Sequence, residues 1–403
     1  MGDRVRFFKV LSLLLSLVMV GQLTNTINMP IMANIAEHFQ VRPSSVQLLI
    51  AAYLLPYGFF QFIWGPLSDY FGRRPTILAG LMIFIVGTSI AFQAQTFNTL
   101  LAGSFIQGMG IAVAGVMART IMVDCYRGKE LLTANSYVSM CIVLAPLAAP
   151  IMGGFLGSHF GWKSIFMFLG VLSVIVLVMQ AFFFKETRPA KSPETPNVLV
   201  GFKTVFKCPS FKFNLFYLIV VMSVVSVIET NMGVLFGEVL KLSPIQTSVL
   251  FVIPLPAYML GSYLVSKFKD KLSVNSLIKI GININALAAL MMFVFGMEYI
   301  VSIWSVILPA SIFFFGSGII FPTATTKALE QLRLVSGTAG AICGGMQSVG
   351  AGLVVWFSST IPVTTQLPLG GILIILSLAC VWVKNTEQKT ESTILESGQT
   401  SAV

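Results

Sequence analysis

Apolar residues run almost unbroken along most of the chain, and polar ones gather in short stretches between the runs. The runs fall at about 8–28, 45–65, 75–94, 97–120, 131–157 and 163–184, then at about 213–235, 244–265, 274–296, 300–322, 336–360 and 367–383. A helix needs roughly 20 apolar residues to cross a bilayer. The pattern therefore predicts an all-α membrane protein with twelve transmembrane helices, six in residues 1–184 and six in residues 213–383. Residues 185–212 hold Pro189, Pro193, Pro196 and six lysines or arginines, and read as a linker between two halves. Residues 384–403 are polar and read as a disordered tail. The first run is too long for a signal-peptide core and has no small-residue cleavage site after it, so it counts as span 1.

Composition agrees. The 403 residues are 56% hydrophobic and 10% charged, with a mean hydropathy of +0.88, whereas soluble domains carry about 25% charge. A net charge of +10 could suggest nucleic acid, but the placement of the charges excludes it. With the N-terminus inside, 22 of the 25 lysines and arginines fall on the inner side, leaving only Arg42, Lys163 and Lys241 outside. That asymmetry predicts cytoplasmic termini and a cytoplasmic linker. Cys125, Cys141, Cys208, Cys343 and Cys380 are scattered without metal spacing, and none falls in a predicted external loop, so no disulfide is expected. His38 and His159 read as distant loop residues, which argues against a metal site or a histidine-based catalytic centre. The nearest approach to a phosphate loop, GWKS at 161–164, lacks the G-K-[ST] core, so ATP is not expected to drive a cycle. No filter-like stretch suggests a channel, and intramembrane charge is too sparse for an enzyme. No cofactor is expected.

The halves echo each other faintly. QGMGIAVAG (107–115) in span 4 is similar to FGSGIIFPT (315–323) in span 10, and APIMGGFLG (149–157) in span 5 loosely resembles AGAICGGMQ (339–347) in span 11. Parallel repeats of this kind put a substrate site near the midplane, between the halves.

The most charged interruption is GPLSDYFGRRP at 65–75, read as a short inner loop between spans 2 and 3. It resembles the G-x-L-x-D-x-x-G-R-[KR] signature of the major facilitator superfamily, through Gly65, Leu67, Asp69, Gly72, Arg73 and Arg74. Tyr70 stands where a basic residue is common, and the expected second copy is eroded to GSYLVSKFKD (261–270). TINMPIMANIA (26–36), VMARTIMVD (116–124) and FVIPLPA (251–257), with Pro150, Gly153 and Gly154 matching the antiporter signature G-P-x-x-G-G, are similar to the EmrD-type and Bcr/CflA branch of the drug:proton antiporters. The resemblance covers nearly the whole chain. It implies a major facilitator fold of two pseudo-symmetric halves and a monomer in a bacterial inner membrane. The implied activity is proton-coupled efflux of lipophilic, often cationic or aromatic compounds. A proton-coupled exporter of one metabolite, such as a sugar or amino acid, stays open as the alternative. The resemblance also implies that Asp69 holds a cytoplasmic gate against the start of span 11, near Ser336 and Gly337, and that an acidic residue at the inner end of span 4 joins the loop arginines. Asp124 with Arg73 is the candidate pair. Ser104 occupies the position where span 4 of these antiporters usually has an arginine, so that residue's proton-relay role does not transfer.

A charge inside a bilayer is costly and usually marks an ion path or substrate site. Glu229 in span 7 is therefore a proton-coupling candidate, with a neutral, hydrogen-bonded acid or a place at the edge of an external loop as the competing readings. Arg119 is read either as a second coupling candidate or as a snorkelling arginine paired with Asp124. Tyr53 and Tyr57 are four apart and share a helix face, which Gln61 continues. With Gln22, Asn25, Phe251 and Trp304 they form the predicted substrate cavity, apolar with aromatic faces, suited to flat lipophilic cations.

Overall fold

A bilayer offers no partners for backbone amides, so each crossing must close its own hydrogen bonds as a helix. The structure, a computed structural model, describes residues 2–126, 128–188, 203, 205–268, 271–298, 301–330 and 336–400. It has twelve helices long and apolar enough to cross a membrane. The first half comprises α1 (Gly2–Thr26), α2 (Leu48–Phe71), α3 (Arg73–Phe92), α4 (Phe97–Cys125), α5 (Gly128–Phe160) and α6 (Lys163–Phe183). The second comprises α7 (Pro209–Val234), α8 in two pieces (Pro244–Val252 and Leu255–Phe268), α9 (Val274–Met297), α10 (Ile303–Glu330), α11 (Ser336–Ser359) and α12 (Leu367–Thr400). Local chemistry sets several starts: Thr96 caps α4, Ser273 caps α9, and Ser243 with Gln246 forms a capping box on α8. Beyond α1, a 3₁₀ turn at Met29–Ile31 and a short helix, Met32–Phe39, carry on the TINMPIMANIA segment.

Each half follows the same plan. In the first, α4 lies against α2 and α3, and in the second, α10 lies against α8 and α9. Glycine permits both sets of contacts. A Cβ at Gly80 would come within 2.8 Å of the Gly110 carbonyl, and one at Gly87 within 2.7 Å of the Gly103 carbonyl. In the second half Gly281 faces the Gly316 carbonyl, and Gly318 abuts the Tyr258 carbonyl. Small residues let helix backbones approach where lipid gives no hydrophobic drive to associate. The halves meet along α2 and α11, and where α5 touches the first piece of α8.

Three readings of the sequence change here. GPLSDYFGRRP is not a loop: α2 runs to Phe71, α3 begins at Arg73, and Gly72 alone makes the turn at φ 101°, a conformation that favours glycine. His38 and His159 lie in the last turns of helices rather than in loops. Residues 384–403 are not a disordered tail as far as they are described. The α12 helix runs on to Thr400, and Lys384 and Glu387 are only 3% and 1% exposed. Glu387 accepts from Lys327 at 2.6 Å, Lys384 at 2.8 Å and the Tyr217 hydroxyl at 3.0 Å, which ties α12 to α10 and α7. Of the predicted linker, residues 189–202 and 204 lie outside the described residues.

Candidate functional site

The end of the bundle that carries the Gly72 turn, here called the basic end, is held by Arg73. Its guanidinium is almost wholly buried and reaches Asp69 at 2.5 Å, Asp124 at 3.0 Å and the Ser68 hydroxyl at 2.8 Å. Three helices, α2, α3 and α4, thus share one cation. Glu186, just past α6, adds a fourth. Its carboxylate accepts the backbone N–H groups of Arg73 (2.9 Å) and Arg74 (3.1 Å) at the start of α3, and those of Thr187 and Arg188. Partial burial pushes the Glu186 carboxyl up, but these four donors outweigh it and hold the group below the usual carboxylate range. Arg74 donates to the Ala181 carbonyl, and Arg188 donates to that of Tyr70. Asp69 therefore lies on Arg73 of its own half; the side chains of Ser336 and Gly337 are outside the described ones. Gly65 faces Val116 of α4 with ordinary contact.

Deeper in, three helices each contribute a pair of residues four apart, the spacing that stacks one above the other on a face. From α2 come Tyr57 and Gln61, from α4 Gly115 and Arg119, and from α11 Gly340 and Gly344. A Cβ at Gly115 would sit 3.0 Å from the Tyr57 hydroxyl and 3.4 Å from the Gln61 amide. One at Gly344 would sit 2.8 Å from Gln61 Oε1 and 3.1 and 3.2 Å from the two terminal nitrogens of Arg119. The guanidinium donates to the Gly340 carbonyl and so joins the halves. Above this row Tyr53 stacks on Tyr57, with centroids 5.6 Å apart, and donates to the Gly21 carbonyl at 2.9 Å. The pairing of Arg119 with Asp124 is corrected: five positions turn a helix by about 140°, so the two face different neighbours. Arg119 goes to α11 and Asp124 to Arg73.

Two helices show which space these groups face. From Phe213 on α7 to Phe236 just beyond its end no residue is exposed, yet Phe216, Ile219, Met222, Val225 and Glu229 are partly open, stepping by three or four. A helix enclosed by protein can open only onto an internal space. Glu229 closes that stripe, with no hydrogen bond or ion pair to another described residue. On α1, Ser12 and Met19 are exposed, Gln22 and Asn25 half-buried, and everything from Thr26 to Met32 buried. The space is thus open towards the basic end and shut at the opposite end.

That seal is built on glycine. Gly153 abuts the Ile27 carbonyl, and Gly154 would put a Cβ 2.7 Å from the Pro244 carbonyl and 2.8 Å from Ser248. Gly233 and Gly237 pack on Met29 and Ala33. Neighbouring Pro150 is buried inside α5. One predicted cavity residue moves: Trp304, 70% exposed near the start of α10, shares an outward face with Leu308, whereas Phe251, 6% exposed, is packed as closely as Tyr53 at 4%. Tryptophan is enriched at membrane interfaces, where sequence alone cannot tell a lipid-facing ring from a cavity-facing one. A separate apolar cleft of about 390 Å³ between α3 and α6, bordered by Ile85, Phe92 and Met167, is lined by none of these charged groups.

Comparison with known proteins places this arrangement. A profile of the Major Facilitator Superfamily matches residues 14–355. The chain belongs to the Major Facilitator Superfamily. Multidrug resistance protein D of Escherichia coli (strain K12) is 38% identical over 94% of this chain and 95% of its own length. The bicyclomycin resistance protein homolog of Haemophilus influenzae is 23% identical over 80% of the chain and 82% of its own length. A crystal structure of a D-xylose–proton symporter shares the fold, with a TM-score of 0.71 over 93% of this chain and 97% of that one, at 14% identity. Within this superfamily chain, sequence reasoning missed Glu186, Gly115, Gly340 and Gly344. The paired glycines of α11 lay inside the quoted AGAICGGMQ echo, but nothing local showed that they face Arg119.

Proposed function

We propose that the chain is a proton-coupled multidrug efflux transporter of a bacterial inner membrane, acting as a monomer, with its basic end and both termini in the cytoplasm. It exports lipophilic compounds, often cationic or aromatic, by alternating access. The observation that carries the reading is Glu229: a carboxyl inside the membrane, half-buried, unpaired among the described residues, at the closed end of a space open to the basic side. In that position it can take a proton when the opposite end opens and release it when the basic end opens, while the half-buried Tyr57, backed by the buried Tyr53, offers aromatic surface to the cargo. The multidrug and bicyclomycin resistance names of the relatives support the substrate class, and the excess of lysine and arginine at the basic end supports the orientation.

The test uses proteoliposomes with an imposed pH gradient. Glu229→Gln keeps the shape but cannot release a proton, so it is expected to bind a lipophilic cation yet fail to move it uphill. Full gradient-driven transport by this variant would remove Glu229 from the proton path. A susceptibility panel in a pump-deleted bacterial host separates multidrug efflux from export of one metabolite.

A further inference from the structure

From Gln107 to Met122 on α4, Arg119 is the only exposed residue. Its neighbours Ala118 and Ile121 are 4% and 0% exposed, so the opening at Arg119 faces the internal space rather than lipid. An arginine side chain has five N–H donors and no acceptor. One donor goes to the Gly340 carbonyl, and no carboxylate lies within ion-pair reach among the described residues. The cation is therefore held in place by a neutral group, with donors to spare. Beside it stand the Tyr57 hydroxyl and the Gln61 amide, and Gly115 and Gly344 keep the row free of further side chains. Arg119 lies six positions before the end of α4 at Cys125, about 9 Å from the basic end, whereas Glu229 lies twenty positions into α7, about 30 Å from it. The space thus carries a fixed positive charge near its mouth and a titratable acid at its depth.

We propose that Arg119, flanked by Tyr57 and Gln61, anchors the carboxylate or sulfonate head of an amphipathic anion, whose apolar body lies along the tyrosine stack. The proposal deepens the efflux reading and rests on it: the same transporter takes amphipathic anions by the head as well as lipophilic cations by their aromatic surface. The planar guanidinium fork matches a carboxylate or sulfonate with two parallel hydrogen bonds, which a lysine in its place would not supply.

The test is fluorescence titration of the full-length protein in lipid nanodiscs, with empty nanodiscs as the blank. The probes are 1-pyrenebutyrate and the matched cation (1-pyrenylmethyl)trimethylammonium. Wild type is expected to bind both. Arg119→Gln should weaken pyrenebutyrate at least tenfold and tighten the ammonium probe, because a positive charge has left the cavity. Arg119→Lys should fall between. Gly344→Ala, whose new methyl would crowd Gln61 and the guanidinium, should weaken the carboxylate probe more than the ammonium. Parallel loss of both probes in Arg119→Gln would overturn the proposal in favour of a role in packing the halves. Wild type that binds the ammonium but not the carboxylate would overturn it while leaving the efflux reading intact, and binding of neither would overturn both. If Arg119→Gln does not fold, wild type is titrated with the neutral amide of pyrenebutyrate, and less than tenfold discrimination between acid and amide refutes the anchor.

Discussion

Arg73 touches two carboxylates that differ in environment, and this gives a discriminating experiment. The Asp124 side chain is 11% exposed and lies 3.0 Å from Arg73, while that of Asp69 is 53% exposed and lies 2.5 Å away. By distance alone Asp69 would be the stronger partner. Solvent screening reverses the order, since half-exposed pairs contribute about 0–1 kcal/mol. At an effective dielectric of about 20, two charges about 4 Å apart attract by about 4 kcal/mol, and removing one partner of a buried pair costs about 3–5 kcal/mol. Double-mutant cycles pairing Arg73→Gln with Asp124→Asn or with Asp69→Asn should therefore give couplings of about 2–4 and below about 1 kcal/mol respectively. Free energies from steric-trap unfolding in a bilayer mimic supply the readout. Asp69→Asn should nevertheless cripple efflux while leaving membrane expression largely intact, because a group that matters for switching need not matter for folding. Equal couplings for the two aspartates would refute the screening argument, and unchanged efflux in Asp69→Asn would refute its role in switching.

Further outcomes follow from single contacts. Gly154→Ala should force α5 away from Pro244 and raise the labelling rate of a cysteine placed at Thr247, read with a membrane-impermeant maleimide; unchanged labelling would mean that the seal absorbs the methyl. Tyr53→Phe removes the 2.9 Å bond to Gly21 and should cost about 1 kcal/mol of stability in the same unfolding assay. Glu186 has a lowered pKa, so its contribution is present above the unfolded carboxyl value of about 4.3 and is lost as pH falls through the lower folded value. Wild type should melt at a steady temperature from pH 7 to 5 and lower below that, whereas Glu186→Gln should start lower at pH 7 and show a smaller acid loss.

The spans were legible because lipid imposes a length that soluble cores do not, and twelve runs of that length leave little choice of fold. Their ends were less legible. The charges on Arg73, Lys384 and Glu387 look like loop signals until their partners are known, and Lys327 lies 60 positions from Glu387. The stack of Tyr53 on Tyr57 followed from a spacing of four, a property of one helix. What met that face depended on the crossing of α2, α4 and α11, which no local pattern encodes. Trp304 was misassigned for a related reason: in a membrane the outside of a helix is as apolar as its inside, so an aromatic ring carries no label for the side it faces. The glycines of APIMGGFLG were read as a family signature, and only the backbone carbonyls of Ile27 and Pro244 gave them a physical reason.

A turn of one residue has no slack. Because α2 and α3 are joined by Gly72 alone, and the first amides of α3 are held by Glu186, movement of the basic end of α2 must carry α3 and the end of α6 with it. Bending during a transport cycle then has to occur where helical hydrogen bonding is already interrupted. Besides the prolines inside α2, α5 and α10, the described chain breaks outright between Thr26 and Met29, where α1 gives way to a 3₁₀ turn, and at Ile253–Pro254, where α8 divides in two. Both flank the sealed end. With the joint at Gly72 held stiff, spin labels on either side of Pro254 should change separation during turnover while labels across Gly72 keep theirs.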